Sequence, residues 1–249
     1  MASAERVQPV GSLRQGLLPK TELGLQRDAA PDLELAGLIL GSPDQVLALL
    51  GEPSVLPRAV PKRRAEFVAG RHAAALALSR FGGVERVDRG ARGEPLWPAG
   101  FVGSISHGAG LAVAVVSSSR DYRGLGIDVE RWMSDQECAE VSERVLHPLE
   151  LEMLGHALPA LSAASCVSLG FSLKESLYKC LNPLAEEFIE FDDARLCRVV
   201  PCTPTSGRVW LSLARSFSDE LLEGTQVPGC YALEPGRVET LVWLPWRHS

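Results

Sequence analysis

Two long stretches of the chain carry apolar residues at helical spacing, and shorter runs around them alternate with the period of a strand. Over residues 61–81, Ala65, Val68, Ala69, His72, Leu76 and Ser79 recur as an inner stripe; Pro61 in the first turn and Gly82-Gly83 beyond the last give the helix its limits. Over residues 165–181, Cys166, Leu169, Leu173, Leu177 and Cys180 form one core-facing stripe, and Asn182-Pro183 ends the helix. Glu175 and Lys179 fall nearly opposite that stripe and face water or a cleft. Between these two, Ser134 and Glu137 make a capping box that opens a helix to about residue 146, and a second helix of about 149–156 follows Pro148. Strands are expected at 111–116, 188–191, 195–200, 209–214, 229–233 and 240–244, with a short helix at 217–222. Near the start, a strand at 32–35 and a helix end at 46–50 are the readable elements, while the glycines and prolines of 84–99 exclude regular helix. Two strand-rich stretches with helices between them predict an α+β fold.

The segment Gly124-Leu125-Gly126-Ile127-Asp128-Val129-Glu130 stands apart. Read as a strand, it turns Leu125, Ile127 and Val129 to one face and Gly124, Gly126, Asp128 and Glu130 to the other. Its two glycines offer backbone that a ligand can approach, and its two acids lie about 6.6 Å apart at Cα, within reach of one cation. Two carboxylates about 5 Å apart repel by about 3 kcal/mol at an effective dielectric near 20, so convergence calls for a positive partner. A half-exposed edge strand with solvated acids is the competing reading.

Composition narrows the class. With 249 residues, 46% apolar and 22% charged, the chain has an ordinary globular balance and enough length for one large domain or two small lobes. A formal charge of −6 argues against non-specific nucleic-acid binding. Neither a secretory signal nor a membrane-length apolar run is evident, and the six cysteines show no C-x-x-C spacing. Reduced thiols in a cytoplasmic protein are expected.

Local basic groups change the picture. Lys62, Arg63, Arg64 and Arg71 lie outside the first helix's stripe, and cations near a helix N-terminus are unfavourable unless they share an anion. A phosphate would reconcile them, and a solvated cationic face is the alternative. His107 ends Val102-Gly103-Ser104-Ile105-Ser106-His107 beside Gly108-Ala109-Gly110, where imidazole and backbone amides can meet a phosphate oxygen. A structural histidine is the alternative there. The Glu175–Lys179 pair at i,i+4 reads equally as a surface ion pair.

Taken together, Gly126-Ile127-Asp128-Val129-Glu130, Phe171-Ser172-Leu173-Lys174-Glu175-Ser176-Leu177-Tyr178-Lys179 and Gly103-Ser104-Ile105-Ser106-His107 resemble the 4′-phosphopantetheinyl transferase superfamily, in its monomeric, pseudo-dimeric group. Lys62-Arg63-Arg64-Ala65-Glu66-Phe67-Val68-Ala69-Gly70-Arg71 and Glu94-Pro95-Leu96-Trp97-Pro98 are similar to the enterobactin-synthase-activating branch. The resemblance implies two similar α+β lobes related by a pseudo-twofold, each a small antiparallel sheet packed with helices, at 1–122 and 123–249, with the site between them. It leaves 1–55 unassigned. It implies coenzyme A as co-substrate and Mg²⁺ held by Asp128, Glu130 and Glu175. Lys174 and Lys179 match catalytic lysines, with Lys179 on the pyrophosphate. Ser106 and His107 would hold a coenzyme A phosphate, Arg63 and Arg71 its nucleotide end, and Arg89 and Arg92 would assist from the glycine-rich loop. The implied reaction moves the phosphopantetheine arm to a serine of an apo carrier protein of a siderophore, peptide, polyketide or fatty-acid synthase. Glu175 is the expected base and Glu130 its rival. A non-catalytic coenzyme A-binding protein is the alternative in a different class.

Overall fold

The computed structural model describes residues 20–246, apart from Pro31, Ser54, Val55, Pro57, Gly83, Val84, Glu85, Arg92 and Glu186. The described chain is α+β, and all its strand pairings are antiparallel. Its first part runs β1 (Lys20–Thr21), β2 (Glu34–Ile39), α1 (Pro43–Leu50), α2 (Pro61–Leu78), β3 (Asp88–Arg89), β4 (Pro95–Leu96), β5 (Phe101–Gly108) and β6 (Leu111–Ser118). Its second part runs β7 (Tyr122–Arg131), α3 (Asp135–Val145), α4 (Pro148–Ala157), α5 (Ala163–Leu181), β8 (Ala194–Thr203), β9 (Ser206–Leu213), β10 (Gln226–Glu234) and β11 (Arg237–Pro245). One sheet has the order β1-β2-β6-β5, a second the order β7-β11-β10-β9-β8, and β3 and β4 form a small ribbon.

Alternation along the strands stacks these pieces in layers. On β6, Ala112, Ala114 and Val116 turn to α2, while Leu111, Val113 and Val115 turn the other way. There they meet Leu125, Ile127 and Val129 of β7, with Cys230, Leu241 and Trp243 from the second sheet. The two sheets therefore share one apolar layer, with α2 outside the first and α5 outside the second. Ser134 and Glu137 form the expected capping box at the start of α3.

Several expectations are corrected. The inner face of α2 is Ala65, Ala69, Gly70, Ala73, Ala74, Ala77 and Leu78, a stripe of small residues rotated from the expected one. Close packing on the sheet is the reason: a Cβ on Gly70 would lie 2.7 Å from Ile105 Cγ2, and bulkier Val68 and Leu76 sit on the flanks. Residues 188–190 are irregular and lead into a 3₁₀ turn at Phe191–Asp193, so the strand expected at 188–191 is absent. Residues 217–222 hold only an isolated bridge, Ser218 to Leu221, instead of a helix.

Two further differences bear on the site. Leu23 and Leu25, around the 3₁₀ turn Gly24–Arg27, are buried in the shared layer, and that turn packs on β10 and β11. The start of the described chain thus also packs against the second sheet, and the expected division falls at the start of β7. Nor do Gly124 and Gly126 offer backbone to a ligand. A Cβ on Gly126 would run into the carbonyl oxygen of Ser176, and one on Gly124 into that of Cys180. The glycines let α5 lie directly against β7. Gly126→Ala is therefore expected to cost about 3 kcal/mol or more of stability, the upper range for overpacking, read as a lowered urea midpoint.

Candidate active site

Where α5 crosses β7, three side chains meet around one carboxylate. Asp128 is 2% exposed and accepts hydrogen bonds at both oxygens. Lys179 Nζ donates to Asp128 Oδ1 at 2.6 Å, Ser106 Oγ donates to the same oxygen at 2.9 Å, and Ser172 Oγ donates to Oδ2 at 2.8 Å. The Lys179 ammonium also donates to Ser106 Oγ at 2.9 Å and to the carbonyl of Ile127 at 3.3 Å, with its side chain 25% exposed. The elements explain the meeting. Ser106 is carried by β5, whose Gly108 packs against the Val129 carbonyl of β7, and Ser172 and Lys179 lie two turns apart on α5.

Glu130 and Glu175 flank this pair. Burial pushes the Glu130 carboxyl up to about 7, and the charges of Asp128 and Glu175 act in the same direction against Lys179 and Arg131. Glu175 is raised by burial, opposed by Lys179 and assisted by Asp128. The three acids thus feel one another and one ammonium. Their donor chemistry, all carboxylate oxygen, fits a hard divalent cation. Yet among the described residues no three Asp, Glu, His or Cys side chains are gathered closely enough to hold a metal ion. Instead of the expected three-carboxylate cage, the Lys179 ammonium takes Asp128 Oδ1. The arrangement fits an ion that brings water and phosphate oxygens of its own, as Mg²⁺ commonly does.

Cations continue the site toward α2. Arg63 Nη1 lies 2.6 Å from His107 Nε2, and His107 Nδ1 lies 3.6 Å from Glu66 Oε2. This geometry places the imidazole proton on Nδ1, toward Glu66, and leaves Nε2 to accept from the guanidinium. Burial depresses the His107 pKa, Glu66 opposes that, and Arg63 and Lys179 reinforce it. Glu66 was not singled out from the sequence, although it lies one turn from Arg63. Arg71, about 12 Å further along the helix axis, stacks over Phe67 at 5.0 Å, and its buried Nε has no hydrogen-bond partner. Burial and the nearby Arg89 lower its pKa to about 10, against Asp88. Arg71 and Arg89 stand near each other with Asp88 beside them, and a pair of guanidiniums can draw an anion. Arg92 lies outside the described residues.

Comparison with known proteins decides the family. Residues 52–117 match the 4′-phosphopantetheinyl transferase N-terminal domain, and residues 124–226 match the 4′-phosphopantetheinyl transferase superfamily. The 4′-phosphopantetheinyl transferase PptT of Mycobacterium tuberculosis is 32% identical over 240 residues, 94% of this chain and 99% of that protein. This chain belongs to the 4′-phosphopantetheinyl transferase superfamily. The transferase also resembles Npt of Nocardia iowensis, at 33% identity over 64% of this chain and 69% of that one. Enterobactin synthase component D of Salmonella typhimurium is 40% identical over 121 residues, 49% of each chain.

One expected catalytic residue of the transferase stands elsewhere. Lys174 points away from Asp128: its Nζ donates to Glu150 Oε2 at 3.0 Å and to the Phe191 carbonyl at 3.1 Å. Both side chains are 3% exposed. Glu150 Oε1 accepts from the Leu196 amide at 2.7 Å, and Oε2 from the His147 amide at 2.8 Å. Burial of Lys174 lowers its pKa while Glu150 opposes the shift. This pair ties α4, α5, β8 and the turn at 191–193 together, and it backs a cavity of about 180 Å³ lined by Glu175, Leu177, Tyr178, Phe188, Ile189 and Phe191. The sequence signal for Glu150 was its third position in a helix after Pro148, where it closes a capping box with His147.

Two outcomes follow from these contacts. Lys174→Met strands Glu150 as a buried, unpaired charge and is expected to cost about 3–5 kcal/mol in urea unfolding, with much of it recovered in a Lys174→Met, Glu150→Leu double variant. For Glu130, the folded state holds a proton up to about pH 7 that the unfolded chain releases near 4.5. Stability from this group is full below about pH 4.5 and lost as pH rises through 7. Urea midpoints at pH 5 and pH 8 are expected to differ less in Glu130→Gln than in the parent.

Proposed function

We propose that this transferase moves the 4′-phosphopantetheine arm of coenzyme A onto a serine of an apo carrier protein, releasing adenosine 3′,5′-bisphosphate. The observation that carries the reading is the convergence of Asp128 and Glu130 from β7 with Glu175 and Lys179 from α5, beside the cations of α2 and β5. Arg63 and His107 bind one phosphate group of coenzyme A, with Ser106 next to them, and Arg71 and Arg89 hold the nucleotide end. The apolar cavity beside Glu175 takes the uncharged part of the arm, whose reacting phosphate then lies against Lys179.

Asp128, Glu130 and Glu175 would hold Mg²⁺ together with diphosphate oxygens; when bound, it supplies positive charge against the negative charge that builds on the leaving phosphate. Lys179 adds a mobile hydrogen-bond donor to the same oxygens. Glu175, half-buried with a raised pKa and facing the cavity, takes the proton of the serine hydroxyl. Glu130 remains the rival for that step because its pKa is raised too. A non-catalytic coenzyme A-binding protein is the weaker reading, since it gives no task to two acids held half-buried at an energetic cost.

The fold adds organisation to the proposal. Each sheet carries one long helix, α2 or α5, and the edge strands β5 and β7 pack together. We read this as two similar lobes about a pseudo-twofold, divided near residue 122. One chain supplies both sides of the site, which suits a monomer. All six cysteines are free, and we place the protein in the cytoplasm. No helix among the described residues is long and apolar enough to cross a membrane. The carrier belongs to a siderophore, peptide, polyketide or fatty-acid synthase.

The test is conversion of several apo carrier domains to the holo form with coenzyme A and Mg²⁺, scored by mass spectrometry as the gain of one phosphopantetheine arm. Glu175→Gln is expected to lower kcat by about 10²–10⁴, the range for loss of a general base. Undiminished turnover would pass that role to Glu130.

A further inference from the structure

Behind the site, at the interface of α5 with β7 and β11, lies a chain of buried hydroxyls; two of them stand in the α5 motif, and neither the resemblance nor the proposed reaction gives any of the three a role. Ser172, Ser176 and Thr240 are each 0% exposed. Thr240 stands opposite Asp128 in the register of β11 and β7, so both project to the α5 side of the sheet. Ser172 Oγ lies 2.8 Å from Asp128 Oδ2 and 2.8 Å from Thr240 Oγ1, and Thr240 Oγ1 lies 2.8 Å from the Ser172 carbonyl. Ser176 Oγ lies 2.7 Å from Thr240 Oγ1 and 3.1 Å from the Thr240 carbonyl.

Counting protons gives the chain a direction. A carboxylate only accepts, so the single Ser172 proton is committed to Asp128 Oδ2. Thr240 then donates to Ser172, at its Oγ or its carbonyl, and Ser176 donates to Thr240. Alanine or valine would fill this helix–sheet contact without the desolvation cost of three hydroxyls. Their bonds end on the carboxylate of the site. With Oδ2 tied down behind the strand, Oδ1 alone is left for Ser106 and for the cation at the crevice, which is Lys179 here.

We infer that Ser172, backed by Thr240, is a positioning residue that fixes the Asp128 carboxylate and presents only Oδ1 to the crevice. Without the Ser172 donor, only the Lys179 and Ser106 contacts at Oδ1 are left to set the rotation about the Cβ–Cγ bond, and the carboxylate is held from one side instead of two. The inference rests on the proposed role of Asp128 in phosphopantetheine transfer.

Holo-carrier formation tests it in the full-length chain. Ser172→Ala is expected to lower kcat about 10–100-fold, or about 1.4–2.7 kcal/mol at 1.36 per tenfold, with KM for coenzyme A within twofold, since the groups that grip the nucleotide are untouched. Ser168→Ala is the matched control. It deletes another buried hydroxyl of α5, one that bonds the Ala164 carbonyl and the Met133 amide and does not reach Asp128. Its kcat per folded molecule is expected to stay within threefold of the parent. Thr240→Val, close in shape, removes the second hydroxyl and is expected to fall between the two, which keeps the inference testable should Ser172→Ala not fold. Equal losses in Ser172→Ala and Ser168→Ala, or parental kcat in both Ser172→Ala and Thr240→Val, overturn it. Asp128→Ala separates the two levels: if it is inactive while Ser172→Ala works normally, only the positioning role falls. Full activity in Asp128→Ala sinks the reading of the site as well.

Discussion

Everything in the site depends on how closely a helix is allowed to approach a strand. Gly124 and Gly126 remove the side chains that would hold α5 off β7, and the carbonyls of Ser176 and Cys180 occupy the space where Cβ atoms would stand. That contact brings Ser172 and Lys179 within hydrogen-bond distance of Asp128. A helix displaced outward by one methyl group would leave a carboxylate buried without its partners, and such a group costs several kcal/mol. Packing and electrostatics are therefore one constraint here: the glycines matter because the acid between them and the next turn must be satisfied.

Electrostatically, the crevice is held in tension. Glu130 and Glu175 are half-buried acids pushed toward neutrality, while Arg71 is a half-buried base pushed down by burial and then by its neighbour Arg89. The raised acids stand at one end and the depressed guanidinium at the other, with Ser106 and His107 between. A ligand with a diphosphate bound to a divalent cation, and a further phosphate at its nucleotide end, relieves both ends together. On the proposed reading, coenzyme A with a divalent cation is that ligand. Affinity and preorganisation then have the same source, since the free protein already carries the strain that the ligand removes.

How much of this was legible in the residues follows from the range of each interaction. Helix α5 and strand β7 were readable because their periods are local and strongly marked by leucine, isoleucine and valine. The face of α2 was misread because its inner stripe is alanine and glycine, which weigh little in any hydrophobic count, while Val68 and Leu76 draw the eye to the flank. Lys174 sits in a motif beside Glu175, yet its partner is Glu150, 24 positions earlier, and no spacing rule reaches that far. Ser172 and Thr240 are 68 positions apart and meet only because β11 lies beside β7. Pattern drew out Asp128, Glu130, the Glu175–Lys179 pair, His107 and the arginines of α2 with their alternatives open, and resemblance supplied their roles and added Arg89 and Arg92. The partners that hold them in place needed the three-dimensional contacts.

The apolar layer between the sheets has a consequence for how this protein can change. Leu111, Val113 and Val115 from the first sheet, Leu125, Ile127 and Val129 from the second, and Leu23 and Leu25 from the start of the described chain all bury one another. Each half also has an apolar cluster of its own, so this layer is a third core that both must keep. A change of side-chain volume on either sheet is felt on the other, so residues far apart in the chain are bound to change together.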